Sequence, residues 1–311
     1  MAKRHNPRRG SMQFWPRNRA KRIYPRIKSW PVVDGSKLSG FAGYKAGMTQ
    51  IRMRDNSNST TKGQIITVPV TILECPPLKP LSLRFYKNTE DGLQVISEIH
   101  SQSLEKELSR KINVAKKQKD GKFPKEFDQV SLQVYTQPKL TTLKKTPEIF
   151  EVNLGKEKSE EVLKPLLEKE IKISEIFKEG QFIDTHSVTT GRGFQGPVKR
   201  FGVKLRAAKS EKVKRGPGSL GPWKQQQHTM YRIAHAGQTG FQTRVAYNKL
   251  VLKISSDPKE INPKEGINGY GLLKSDYVLI KGSIPGPKKR LIRLIEPIRV
   301  KKEGITPEII Q

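Results

Sequence analysis

From Gly196 to Gly240 the sequence reads GPVKRFGVKLRAAKSEKVKRGPGSLGPWKQQQHTMYRIAHAGQTG, a stretch with few core-forming runs. Structureless connections longer than about 12–15 residues are uncommon in compact domains unless they have a function. Its apolar side chains are too few to build a core of its own, so the segment is expected to take its order from a partner. Within it RGPGSLGPW, Arg215 to Trp223, places three glycines and two prolines in nine residues and ends on a tryptophan. That composition makes a tight, rigid reversal and excludes regular helix or strand. Trp223 then lies near the tip of a projecting finger, its indole either a flat face for a partner's bases or a small lid folded back on the chain.

Charge sharpens the requirement. Sixty Lys and Arg against 29 Asp and Glu leave a net charge of +31 on 311 residues, and hydrophobic residues make up only 34%. Such an excess repels itself in a compact state, so a polyanionic partner is the economical explanation; the alternative is a soluble enzyme with a solvated basic surface. Distribution favours the partner. Residues 1–50 hold twelve basic residues and one acidic, Asp34, while residues 187–250 hold thirteen and one, Glu211. Between them, residues 75–186 hold twenty basic and eighteen acidic. Ordinary surfaces mix their signs, as the middle region does. The flanks do not.

Residues 1–38 show no sustained helical or strand period. Arg8, Arg9, Arg17, Arg19, Arg22 and Arg26 alternate with Phe14, Trp15, Tyr24 and Trp30, and prolines keep the chain extended. Mixed arginines and aromatics on such a backbone can fold onto RNA, with guanidinium forks on phosphates and rings against exposed bases. Alternatively the rings dock the tail on its own domain, and Trp30 is the strongest candidate for that.

The single cysteine, Cys75, excludes an intramolecular disulfide and a thiolate metal cage, and suits a reducing compartment. No apolar run approaches the ~20 residues needed to span a bilayer. The basic N-terminus has no apolar segment behind it, and Pro7, Pro16, Pro25 and Pro31 oppose an amphipathic transit helix. The expected location is the cytoplasm, with no membrane contact.

Order begins near residue 39. QIITVPVTILEC (64–75) is a β-branched apolar run that reads as a strand. DGLQVISEI (91–99), DQVSLQVYT (128–136), IFEVNLG (149–155), QFIDTHSVT (181–189), TRVAYNKLVLKIS (243–255), DYVLIKGSI (276–284) and KRLIRLIEPIRV (289–300) follow as further strands. Ser103 to Gly121 reads as a helix with an N-cap and a glycine stop, and a second helix opens near Ser159, limited by Pro165. Asn268-Gly269 marks a tight turn. Strands before and after a charge-balanced α+β block predict a small antiparallel barrel interrupted by a module. The expected divisions are a basic arm (1–38), a barrel (39–78 and 180–311) carrying a finger (191–242), and an α+β insertion (79–179).

Chemistry-bearing motifs are scarce. GRGFQG (191–196) matches the dinucleotide pattern G-x-G-x-x-G, but Pro197 and VKRFG follow without a helical period, and no acidic residue comes before Glu211. Its glycines instead let backbone amides approach phosphate, beside Arg192, Lys199 and Arg200. The five histidines form no metal-binding pattern, and no acid/base pair presents itself. The sequence therefore points away from an enzyme, and from any cofactor, metal or small-molecule substrate.

Five ordered blocks resemble one family, the large-subunit ribosomal protein L3 family, over almost the full length. HNPRRGSMQFWPRNRAKRIYPRIKSWP resembles the N-terminal extension of archaeal and eukaryotic members, closer to the archaeal ones. GFAGYKAGMTQI (40–51) resembles the opening of the family's barrel; GRGFQGPVKRFGV (191–203), GSLGPW (218–223) and AGQTGFQTRVAYNK (236–249) resemble its finger and return. The resemblance implies a mainly β fold, a translation-protein-type barrel with an α+β insertion, embedded in large-subunit rRNA and active in early assembly. Its finger, with Trp223 at the matching tip, would reach toward the peptidyl transferase region and the path of arriving aminoacyl-tRNA. Partners would be rRNA and neighbouring large-subunit proteins, not a second copy of the chain. Residues expected on rRNA are Arg8, Arg9, Arg17, Arg19, Lys21, Arg22 and Arg26 in the arm, and Lys45 at the barrel opening. In the finger they are Arg192, Lys199, Arg200, Lys204, Arg206, Lys214, Arg215, Trp223, Lys224 and Arg232; on its return, Gln238, Arg244 and Lys249. Many members carry a histidine ahead of the finger tryptophan where this chain has Ser210 and Glu211, so no role of that histidine carries over. The rivals are a non-ribosomal RNA- or DNA-binding module and an RNA-modifying enzyme.

Overall fold

A computed structural model describes residues 8–33, 35, 37–114, 121, 123–141, 143–155, 159–209, 213–221, 227–299 and 307–310. The chain divides into two compact units: Met1–Arg22 with Val188–Thr243, and Ile23–Ser187 with Arg244–Gln311. Strands dominate. They are β1 (Gly40–Arg54), β2 (Ile65–Glu74), β3 (Lys79–Thr89), β4 (Gly92–His100), β5 (Gln129–Tyr135), β6 (Ile149–Asn153) and β7 (Phe182–Val188). After them come β8 (Phe194–Gln195), β9 (Gly237–Gln238), β10 (Thr243–Ser255), β11 (Tyr277–Lys281), β12 (Leu291–Ile295) and β13 (Glu308–Ile310).

Seven strands of the larger unit form one sheet in the order β12-β7-β10-β11-β2-β1-β13, and β1 also pairs with β12. The β1–β12 register runs antiparallel from Gly40 opposite Ile295 to Tyr44 opposite Leu291, while the same strand runs against β2 from Tyr44 to Arg54. One strand serves three partners, β12, β2 and β13, because it is long and kinks at a bulge between Lys45 and Gly47. Ala46, Val70, Ile72, Leu250, Leu252 and Leu279 pack together as one core of this sheet. A second sheet, β4-β3-β5-β6, lays Leu83, Phe85, Val130, Leu132, Val134 and Phe150 against Phe41, Tyr44, Leu73 and Ile292 of the first.

Every strand read from the sequence is found where its β-branched alternation places it. β3 escaped that reading because Pro76, Pro77 and Pro80 interrupt the pattern, and the strand takes up Pro80 at a bulge against β5. The Ser103–Gly121 helix is a correction: its described part contains one 3-10 turn, Lys106–Arg110. There Leu104, Leu108 and Val114 dock on Leu81 and Tyr135, and Glu105 and Glu107 pair with Lys79 and Lys139 across to neighbouring segments. Tertiary contacts, not successive helical turns, take these residues. Near Ser159 the helix is a single turn, α1 (Glu160–Leu163), which passes at Pro165 into a 3-10 turn; α2 (Ile173–Ile176) is equally short. The insertion expected to be α+β is therefore built on its sheet. Asn268-Gly269 does turn tightly, with Ile267 and Gly271 exchanging backbone hydrogen bonds.

The segment from Ile23 is pinned to the larger unit. The Tyr24 hydroxyl donates to the Ile149 carbonyl (2.7 Å), Arg290 donates to the Ile23 carbonyl, and Ile27 is buried. Trp30 lies under the buried guanidinium of Arg293 (5.4 Å), which also covers Phe150 (4.4 Å) and donates to the Glu151 carbonyl. Docking is thus the role of Trp30 and of Tyr24 as well.

Opposite Arg293 in the β12–β7 register is His186. Burial, reinforced by Arg293 and opposed by Asp184, lowers the His186 pKa to about 4. Between pH 6.5 and 4 the unfolded chain takes a proton that the folded chain refuses, so stability falls as pH falls through that window. Allowing for solvent at this half-buried ring, the loss by pH 5 is about 1 kcal/mol. The stability advantage of the parent chain over His186→Gln is therefore expected to shrink between pH 7 and pH 5, as read by thermal unfolding.

Candidate nucleic-acid interface

The smaller unit holds nineteen Lys and Arg and one acidic residue, Glu211, which lies outside the described residues. No described carboxylate of that unit therefore neutralises a described cation. Ion pairs such as Arg84 with Glu98 and Glu151, or Lys253 with Glu260, belong to the larger unit. Two chain segments far apart in sequence build the smaller unit, and their junction is organised around one buried ring, Phe201.

Phe201 ends α3 (Pro197–Phe201), a single turn that the sequence reading missed. The turn is bracketed as helices are: Pro197 at its first position, Gly202 beyond its end at φ 67°, and Lys199 and Arg200 in the last turn. That bracket was the legible signal; periodicity over five residues was not. Trp15 stacks on Phe201 with centroids 6.2 Å apart and planes 10° apart, and Tyr231 meets Trp15 edge-on at 6.3 Å. The guanidinium carbons of Arg17, Arg200 and Arg8 lie 4.9, 5.0 and 5.9 Å from the Phe201 centroid. Like charges crowd here because the ring faces attract them and backbone carbonyls receive their N–H groups. Arg8 donates to the Arg232 carbonyl (2.8 Å), Arg17 to Ser11, and Arg200 to His235 (2.8 Å) and Gln238 (3.2 Å). Burial pushes the Arg200 pKa down.

The arm is further tied by Ala20, whose N–H donates to the Phe241 carbonyl (2.8 Å), and by Arg19 over the Phe241 ring (5.5 Å). β8 and β9 pair as a two-residue ribbon, Phe194 with Gln238 and Gln195 with Gly237. Gly240 sits beside it at φ 69°, where a Cβ would lie 1.9 Å from the Thr190 carbonyl oxygen; only glycine allows the strands to close there. Of the two readings of the arm, docking on the chain itself holds for residues 8–20. Their scaffold is the base of the segment that follows β7.

The expected interface residues divide by exposure. In the smaller unit Arg8, Arg9, Arg19, Lys21, Arg22, Arg192, Lys199, Lys204, Arg206, Lys214, Arg215 and Arg232 are exposed, while Arg17, Arg200 and Gln238 are half-buried in the junction. In the larger unit Arg26 is exposed, and Arg244 and Lys249 are half-buried. Trp223 and Lys224 lie outside the described residues, as does Ser210. Lys45 departs from the expectation. It is buried at the β1 bulge, its ammonium donating to the carbonyls of Ile284 (2.6 Å) and Gly286 (3.1 Å), and burial lowers its pKa. A lysine in a strand gives no sign in sequence of a carbonyl cradle so distant in the chain.

The sequence model of the family Ribosomal protein L3 matches residues 1–133 and 121–310. A protein of Methanobrevibacter smithii named large ribosomal subunit protein uL3 is 45% identical over 316 residues, covering 96% of this chain and 94% of that one. Proteins of the same name from Archaeoglobus fulgidus (45% identical, 96% and 94% covered) and Picrophilus torridus (44%, 98% and 95%) are similar to it over the same span.

Proposed function

The chain belongs to the ribosomal protein L3 family, and from that membership we propose that it is a structural component of the large ribosomal subunit in the cytoplasm, where it binds and organises large-subunit rRNA. The observation that carries the rRNA reading is the smaller unit's nineteen cations against one acidic residue, with twelve of the expected contact residues exposed. Polyanion binding would neutralise that excess, which no described carboxylate of the unit does. Six strands, β1-β2-β11-β10-β7-β12, lead back to β1 through the β1–β12 pairing, which supports a barrel as the rigid body. From β7 to β10 of that body runs the segment read as the finger, with Trp223 at the tip facing the peptidyl transferase region. An early role in assembly follows if the cations gather rRNA helices that are otherwise apart.

A tagged full-length chain expressed in an archaeal host tests the proposal. It is expected to co-sediment with large subunits after a high-salt wash. Recovery only on free RNA, or turnover of an RNA substrate by the purified chain, would favour the two rival readings respectively.

A further inference from the structure

One edge of the larger unit is poorly suited to RNA. β4 is the outermost strand of the order β4-β3-β5-β6, so among the described residues its far edge has no strand beside it. On it Leu93, Val95 and Ile96 are 51%, 52% and 46% exposed. Strict alternation of faces lapses between Val95 and Ser97, and both Val95 and Ile96 stand exposed there. A bulge opposite Phe85 and Tyr86 leaves Ile96 out of the β3 register. Toward its end the strand is covered, since Gly121 lies against Ile99 and the Glu98 carbonyl. The open stretch is Gly92–Ser97.

Exposed apolar edges are a hazard that natural proteins blunt with charge or cover. Here the surroundings also favour a particular cover. Leu93 forms one wall of a groove of about 280 Å³, with Trp30, Val32, Val130 and Leu154 among the others, and Val32 is 79% exposed. Among the described residues the ribbon and the adjoining 123–130 segment carry Glu90, Asp91, Glu126 and Asp128 against Lys87 and Lys125. Lys87 is already paired with Glu126, and Asp128 accepts the Asn88 N–H. With Lys28, which also lines the groove, these described residues set four carboxylates against three cations, in a chain of net charge +31. A phosphate backbone would meet carboxylates there and gain nothing from Leu93 or Ile96. An extended peptide would satisfy the edge's backbone groups, cover the apolar side chains and match the acidic rim with cations.

We infer that the β4 edge from Gly92 to Ser97 accepts a basic, extended segment of a neighbouring protein as an added strand. Apolar side chains of that segment cover Leu93, Val95 and Ile96, and its cations face Glu90, Asp91 and Asp128. The inference rests on the proposed subunit membership for the setting in which the partner is met. Two measurements on the full chain test it. Amide exchange of the purified protein is expected to slow by about tenfold from Gly92 to Ser97 when a lysine–valine alternating peptide is added at about ten times its Kd, and to stay unchanged with a glutamate–valine peptide. In purified large subunits, a photo-cross-linking residue at position 93 is expected to join one Lys- and Arg-rich protein segment. Val95→Lys combined with Ile96→Lys, which leaves position 93 free for the cross-linking residue, should abolish both signals without moving the thermal midpoint. Equal protection by the acidic peptide, or cross-links solely to rRNA or to a second copy of this chain, overturns the inference. A chain that fails to enter subunits overturns the ribosomal reading instead, and the peptide result still decides this one.

Discussion

Binding of the full chain to a large-subunit rRNA fragment is expected to weaken by about 10³–10⁵ between 50 and 200 mM salt, the response of a protein that neutralises roughly 6–10 phosphates. The twelve exposed contact candidates of the smaller unit are enough for that number, and the unit has no described carboxylate to compete. Each exposed cation that meets phosphate should lower the slope by about one when removed; Arg206→Ala and Arg215→Ala are the natural pair. Lys45→Met serves as the opposite control. Its ammonium is already held by the Ile284 and Gly286 carbonyls. Removing it should cost about 1–3 kcal/mol of stability, since two buried acceptors lose a charged donor, and leave the salt slope intact. A nearly flat response of the parent chain to salt would sink the polyanion reading.

The second large effect is expected from Phe201→Ala. Burying this ring organises the whole junction: Trp15 stacks on it and three guanidinium groups lie within 6 Å of its centre. Truncation of a buried phenylalanine costs about 3–5 kcal/mol, and each exposed cation–π contact adds about 0.5–1 kcal/mol. Against the 5–15 kcal/mol of an ordinary domain, that loss is large for a unit with so few apolar residues. In the RNA-free chain the Ala20 amide, held by the Phe241 carbonyl, should exchange about 10²–10³ times faster. Amides of β2, in the other unit, should be unaffected. If Ala20 exchanges at the parent rate in the variant, the arm is not held by this junction.

How far the sequence could be read depended on whether the deciding contacts were local. The β2 and β10 runs announce themselves because β-branched alternation is a property of neighbouring residues, and β10 occupies the very span read for it. β3 did not, since Pro80 breaks its pattern and only the partner strand reveals the bulge that accommodates it. Glu and Lys spacing after Ser103 imitates a helix, yet Leu108 is claimed by Leu81 and Tyr135 from another layer. Charge asymmetry marked two stretches that overlap the segments forming the smaller unit, while the same counting could not separate exposed Arg206 from buried Lys45. Nor could it show that Trp15 and Phe201 belong together, because pairing across that sequence distance leaves no periodic trace.

That pairing has a consequence for how the molecule is made. Residues 8–20 emerge early from the ribosome that synthesises them, but the ring on which they settle is position 201. At about 5–20 residues per second, the newborn N-terminus waits roughly 10–40 s as a bare cationic strand before its seat exists. During that interval it is open to any nucleic acid nearby, so a guardian that masks nascent basic tails would matter most before the second half of the chain appears.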